Sequence, residues 1–297
     1  MIKRLKKDWP FHLLLVPGII LTFIFSYLPM YGLVMAFQDY NPGLGFFKSP
    51  FVGFDNFKLI FSQHQFILAI FNTVFISFFK LVIGTFSSVV FALLLNEVRA
   101  TVAKRIFQTV VYIPNFISWV IMAGILYNIL ATDGMVNITL KLLQIRPVQF
   151  ISNADVFPWT IIISDVWKSF GFGTVVYLAS ITSIDPELYE SAIIDGASRW
   201  KQTLYITIPL IAPIVVLVTV LALGNILSAG FDQVYNMYSP AVFSKGDIID
   251  TFVYRLGLQN GKYAIGTTVG IFKSVISAVL ISLSLWVAYK VAGYKVF

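Results

Sequence analysis

Cysteine is absent from the 297 residues, and histidine occurs only twice. The first absence excludes a disulfide framework, a thiol nucleophile and a thiolate metal site. His12 and His64 stand about fifty residues apart with no second ligand at metal-binding spacing, so no metal site is expected and both read as interfacial. Charge is scarce as well, at 12% of residues. No nucleophile, base and orienter are grouped anywhere, which leaves no candidate catalytic residue. A phosphate-cradling loop is also missing: the nearest stretch, GLQNGKY from Gly257 to Tyr263, has the wrong spacing and ends in Tyr where Ser or Thr is needed. No cofactor is implied.

Apolar residues take the place of those missing charges. They make up 58% of the chain, with a mean hydropathy of +0.84, far from the mixture that a soluble surface requires. A bilayer core of about 30 Å needs roughly 20 apolar residues per crossing, and such stretches fall at 11–37, 66–95, 106–130, 157–181, 209–232 and 265–289. The expected fold class is therefore all-α, a polytopic membrane protein of six transmembrane helices. The first stretch follows Lys3, Arg4, Lys6 and Lys7, but it is too long for a signal-peptide core and lacks a small-x-small cleavage site. It is expected to remain as an anchor, bent at Pro17 and Pro29. Residues 11–290 read as one transmembrane domain between short tails at 1–10 and 291–297. The segments at 38–65, 131–156 and 233–264 are too short for a folded domain, so any domain that captures a ligand is expected on another chain. The first of them, NPGLGFFKSPFVGFDNF, suits a re-entrant or interfacial loop anchored by aromatics.

Orientation follows from basic residues on alternate sides of the spans. One side holds eleven Lys and Arg, chiefly in the N-terminal tail and at Arg99, Lys104, Arg105, Arg199 and Lys201. The other holds seven, among them Lys48, Lys141, Arg146 and Lys245. The richer side, expected to be cytoplasmic, carries both termini and the loop at about 182–208. The formal charge of +7 is spread over membrane flanks without a clustered basic face, which argues for the lipid bilayer and against nucleic acid.

Between Glu190 and Pro213 the chain reads ESAIIDGASRWKQTLYITIPLIAP, a polar insert between two apolar stretches. Asp185 is placed to cap a helix whose first residue is Pro186, where a missing N–H costs nothing. Glu187 and Glu190 lie near the positive end of its dipole. Gly196 suits the left-handed position that closes such a helix. A second helical run is expected from Ser198 into the membrane near Pro209.

The same residues resemble the signature loop of bacterial ABC importer permeases, a Glu-Ala-Ala triplet, a Gly four residues later and an Ile-x-Leu-Pro ending. Glu190, Ser191, Ala192, Gly196, Ile206, Ile208 and Pro209 occupy those places, with Ser191 for the first Ala and Ile208 for Leu. The order of spans, WKSFGF in the fourth, DPELYESAIIDGA, and FDQVY at the end of the fifth resemble carbohydrate-uptake permeases of the maltose and glycerol-phosphate type. KKDWPFHLLLVPG and YLPMYGLVMAFQDYNP are similar to the subgroup linked to polysaccharide-derived oligosaccharides. The resemblance implies ATPase-coupling roles for Glu190, Ser191, Ala192, Asp195 and Gly196, with Ser198, Arg199 and Trp200 as further contacts in the coupling helix region between helices 4 and 5.

Lys80, Asp165, Lys168 and Lys273 fall inside expected spans, where an unpaired charge is expensive. Asp165 and Lys168 are three residues apart and are expected to neutralise each other on one helix face. The plainer reading of all four is structural pairing or snorkelling; the functional one is a polar path, with Lys80 and Lys273 favouring anionic sugars. Asn225, Ser228, Asp232, Gln233, Tyr235 and Asn236 cluster at the end of the fifth stretch, and the three- and four-residue spacing of the first three predicts a shared face. In the resembled permeases this span lines the sugar site, which makes these residues and Trp167 the lining candidates; for Gln233 through Asn236, marking of the outer interface is an equal reading. Gly266 and Gly270 form a small-xxx-small pair that predicts close helix approach.

The resemblance implies a permease subunit of a binding-protein-dependent importer in the bacterial cell membrane. Its implied partners are a second related permease in a heterodimer, a cytoplasmic ATPase dimer and an extracytoplasmic solute-binding protein. The implied substrate is an oligosaccharide, with uronate-rich products of cell-wall polymers among the candidates. A secondary sugar transporter or channel, or a non-transporting membrane scaffold, stand as the rival readings.

Overall fold

Six helices in the computed structural model, which describes residues 9–292, are long and apolar enough to cross a membrane: Phe11–Phe37, His64–Glu97, Trp119–Leu142, Phe157–Thr182, Arg199–Leu223 and Tyr263–Val287. They are called the first to sixth spans below. Among the described residues the only strand-like feature is an isolated bridge between Gln38 and Phe51. Lys3, Arg4, Lys6, Lys7 and Lys295, which carry much of the charge asymmetry at the termini, lie outside the described residues.

By its contacts the chain divides into two units, one holding the described residues up to Gln63 together with Val253–Lys273, the other His64–Phe252 and the described residues from Ser274. In the first unit, the first span changes winding from an α-helix over Trp9–Thr22 to a π-turn over Phe23–Tyr27 and a 3-10 run over Leu28–Phe37. Pro29 offers no N–H to an α-helical ladder there. The Phe-rich loop that follows is tied down by polar side chains as well as aromatics. Asn56 Nδ2 donates to the Ala36 and Gln38 carbonyls, both at 2.9 Å, while Phe37 packs edge-on against Phe54. Of the expected small-residue pair, only Gly266 makes the close approach: a Cβ on it would lie 3.0 Å from the Gly257 Cα, whereas Gly270 faces open space.

In the second unit the second and fourth spans pack along much of their length. Their approach depends on small residues of the WKSFGF region and its sequel. Ser88 Oγ donates to the Phe170 carbonyl at 3.0 Å, and a Cβ on Gly173 would sit 2.8 Å from that hydroxyl. Gly171 lies against the Val111 carbonyl so closely that a Cβ would overlap it. Two apolar clusters fill this unit, one around Ile76, Met122, Phe157 and Val234 and one around Leu95, Tyr177, Ile181 and Ile211.

Two expected spans are redrawn. The stretch 106–130 is not one helix: it is a helix over Thr101–Tyr112, a 3-10 turn over Ile113–Phe116 and a new helix from Trp119. Pro114 cannot continue the hydrogen-bond ladder, and extended Ser118 caps the next helix by accepting the Ile121 N–H at 3.4 Å. The fifth span leaves the helix at Leu223 rather than 232. Gly224 lets it pass Ile281, whose Cγ1 would stand 2.5 Å from an added Cβ. Gly230 then takes φ +94° before a short helix over Phe231–Met237, a backbone state open to glycine and strained for other residues.

Candidate translocation path and loop

The break in the fifth span forms one wall of a polar cavity of about 300 Å³, lined by Ser77 and Lys80 of the second span, Asp165 of the fourth, and Asn225, Ser228 and Gly230 of the broken segment. Lys80 holds this wall in place. Its Nζ donates to the Ala229 carbonyl at 2.8 Å and to Gln233 Oε1 at 2.5 Å, and lies 3.3 Å from Asp165 Oδ1. An ammonium has three protons, and here each has an acceptor. Lys80 is thus engaged within the protein, and its charge is balanced by Asp165.

Gln233 completes the network from the other side. It is fully buried, and its Nε2 donates to the Ile161 carbonyl at 2.8 Å and to Ser164 Oγ at 2.9 Å. The other polar groups at the cavity are the partly exposed Asp165 carboxylate, the side chains of Asn225 and Ser228, and Ser77. The Ser77 hydroxyl is buried at the cavity wall with no hydrogen-bond partner, and a buried polar group left in that state calls for an explanation.

Several expected relations are corrected. Asp165 and Lys168 do not pair, although i,i+3 spacing would allow it: Lys168 Nζ donates to the Asn115 carbonyl at 2.9 Å and lies over the Trp119 ring, and Asp165 instead meets Lys80 of the second span. Asn225, Ser228 and Asp232 do not share a helical face, since the helix ends before them; the first two line the cavity, while Asp232 is exposed in the first turn of the next helix. Asn236 Nδ2 donates to the Asp232 carbonyl at 2.7 Å, and Tyr235 stacks on Phe231. Trp167 lines a separate, apolar cavity of about 330 Å³ with Trp159 and Ile163. Lys273 belongs to the other unit. Sequence reasoning passed over Ser77 and Gly230; the signal for Ser77 was its place three residues before Lys80, hence on the same helix face.

The loop between the fourth and fifth spans has well-defined geometry. Asp185 Oδ1 accepts the Glu187 N–H at 3.0 Å and caps the helix Pro186–Ile194. The helix closes at Gly196, φ +75°. The Ala197 N–H reaches the Ala192 carbonyl at 2.8 Å and the Gly196 N–H the Ile193 carbonyl at 3.0 Å, the paired bonds of a Schellman ending. Ser198 then caps the next run by accepting the Lys201 N–H. Two contacts tie this loop to the spans: Arg199 pairs with Glu97 at 2.7 Å, and the Tyr189 hydroxyl meets Thr207 Oγ1 at 2.9 Å. Glu190, Ser191 and Asp195 are exposed, Ala192 half-buried. Among these polar residues stand bare apolar ones, Ile194 at 86% and Trp200 at 74% exposure.

The chain has counterparts among known proteins. The chain is 41% identical over 287 residues to Protein LplB of Bacillus subtilis (strain 168), covering 96% of this chain and 90% of that protein. It is 36% identical over 285 residues to the polygalacturonan/rhamnogalacturonan transport system permease protein YteP of the same organism, covering 96% and 88%. A solved structure of a bacterial alginate ABC transporter, in complex with alginate pentasaccharide-bound periplasmic protein, matches with a TM-score of 0.90 at 39% identity over 100% of this chain and 99% of that one. The family described as binding-protein-dependent transport system inner membrane component matches residues 81–292, from the lysine-bearing second span through the loop to the sixth span. A multi-pass chain with that loop and that match belongs to this family: it is a permease subunit of an ABC importer.

Proposed function

We propose that the chain, with residues 11–290 as its transmembrane domain, forms one half of the path of an oligosaccharide importer and that the 182–208 loop couples it to a separate cytoplasmic ATPase dimer. The observation that carries the coupling reading is the loop itself. Its capped helix, Schellman turn and exposed Ile193, Ile194 and Trp200 make a rigid projection with an apolar surface on an otherwise charged segment, as a docking element requires. The cytoplasmic side is assigned to this loop and to both termini by the basic-residue bias. A second, related permease completes the path, and an extracytoplasmic binding protein delivers the sugar, as the complex of the alginate relative suggests.

Nucleotide-driven closure of the ATPases moves the loop, the loop biases a bundle with two stable arrangements, and the cavity at Asp165, Asn225 and Ser228 is offered to alternate sides. The names of the relatives point to polysaccharide fragments rich in uronic acid. This subunit supports hydroxyl recognition through Asn225, Ser228, Ser77 and Asp165. Among the described residues the cation lining the cavity is Lys80, and it is paired with Asp165, so charge selection for a uronate rests with the binding protein or the second permease. The rival reading as a secondary transporter leaned on Asp165 and Lys168, and both are engaged by other groups.

The test is ATPase activity of the reconstituted assembly with and without binding protein and a panel of neutral and uronate oligosaccharides, wild type against Gly196→Asp. Sugar-dependent stimulation that the substitution abolishes is expected. Stimulation that survives Gly196→Asp would refute the coupling role of the loop.

A further inference from the structure

Most hydroxyls within the spans turn back on their own helix. On the fifth span Thr203 and Thr219 each donate to the carbonyl four residues earlier, a common way to satisfy such a group. Thr207 does not. Its Oγ1, on a residue only 3% exposed, bonds the Tyr189 hydroxyl of the loop helix at 2.9 Å. Thr207 also ends the π-turn Thr203–Thr207, a widened winding that recurs at functional positions. The phenol stands one residue before Glu190, so the signature loop is fastened to the root of the fifth span.

From Thr207 that span runs as helix to Leu223, and Ala222 already lines the polar cavity. Fifteen residues at 1.5 Å each place the fastening about 22 Å from the cavity along one helix. We propose that Tyr189 is a positioning residue of the transport cycle: its hydrogen bond to Thr207 makes the loop helix and the fifth span move together, so displacement of the loop reaches the cavity wall at 222–230. This rests on the reading of the loop as the coupling element.

The absence of cysteine in this chain allows a direct test in the fully assembled transporter in proteoliposomes, with any cysteine of the partner subunits replaced. A single Ala222→Cys reporter is labelled with a membrane-impermeant maleimide, with and without ATP plus vanadate, in the backgrounds Tyr189→Phe, Thr207→Val, both together, and Gly196→Asp. Each hydroxyl deletion is expected to shrink the nucleotide-driven change in labelling rate by about fivefold, the worth of one net hydrogen bond. Basal ATP hydrolysis and assembly should stay as in wild type, and the double variant should lose no more than either single one. A purely structural role would instead lower assembly and hydrolysis while leaving the nucleotide-driven change intact. A full change in Tyr189→Phe, or effects that multiply in the double variant, would overturn the proposal. If Gly196→Asp still abolishes the change in that case, only the fastening is refuted. If Gly196→Asp also leaves it intact, the coupling reading falls with it.

Discussion

Replacing Lys80 with Met removes the cation that holds the broken segment of the fifth span. Three acceptors lose their donor at once: the Ala229 carbonyl, Gln233 Oε1 and the Asp165 carboxylate. Removing one partner of a buried ion pair costs about 3–5 kcal/mol. The Lys80 side chain is 10% exposed and that of Asp165 27%, so water softens the loss, which places the expected destabilisation near the lower bound, about 3 kcal/mol. For a chain of this size that corresponds to a fall in Tm of roughly 5–10 °C. Tryptophan fluorescence during thermal unfolding in one fixed detergent measures it. The double substitution Lys80→Met, Asp165→Asn removes both charges and is expected to recover about half of the loss. Because every Lys80 proton is already engaged within the protein, the ratio of uronate to neutral sugar transport should not change in surviving activity. A Tm within about 1 °C of wild type would refute the network account of Lys80, and selective loss of uronate transport would show that the ammonium meets substrate after all.

Four further outcomes follow from the geometry. Gly196→Ala places a Cβ at φ +75° with open space around it, so about 1 kcal/mol of strain is expected in the loop, read as reduced sugar-stimulated ATPase with unchanged assembly. Gly171→Ala drives a Cβ into the Val111 carbonyl and should destabilise the subunit by about 1–3 kcal/mol, visible as a lower Tm. Glu97→Gln breaks the pair with Arg199, whose members remain 43% and 58% exposed; at most about 0.5 kcal/mol is expected, vanishing in high salt, as an unfolding series at two ionic strengths will show. Ile194→Ala should leave Tm unchanged but weaken ATPase association about tenfold, the cost of one well-buried apolar side chain at an interface, measured by titrating purified ATPase onto the permease pair.

How much of this was legible beforehand depends on how local the cause is. The loop helix was readable residue by residue, since Asp185, Pro186 and Gly196 act through caps and backbone conformation that involve only near neighbours. The number of crossings was readable because length and apolarity set it. The ends of the third and fifth spans were not. Apolar residues continue past Pro114 and past Gly224, and nothing in hydropathy records that a ladder is interrupted or that a hydroxyl or lysine from elsewhere takes over the freed groups. The partner of Lys80 was not legible for the same reason. Its partner Asp165 is 85 residues away, and the nearby Lys168 offered an apparently simpler solution for that carboxylate.

The broken fifth span also explains why an intramembrane lysine stands in the second one. A carbonyl released from a helix in hydrocarbon costs several kcal/mol unless something donates to it, and Ala229 precedes Gly230, where φ +94° leaves the helical path. A single ammonium satisfies that carbonyl, reaches Gln233 on the following helix and is itself neutralised by Asp165. The irregular backbone is thereby tolerated where it lines a cavity, one of the settings, with burial in protein, in which non-helical chain is stable at membrane depth. The break by itself gives lysine at position 80 a structural reason, whatever the charge of the substrate. Lys80 and Gln233 thus hold the broken backbone in place, which leaves Asn225 and Ser228 as the residues to which the proposed function assigns sugar recognition.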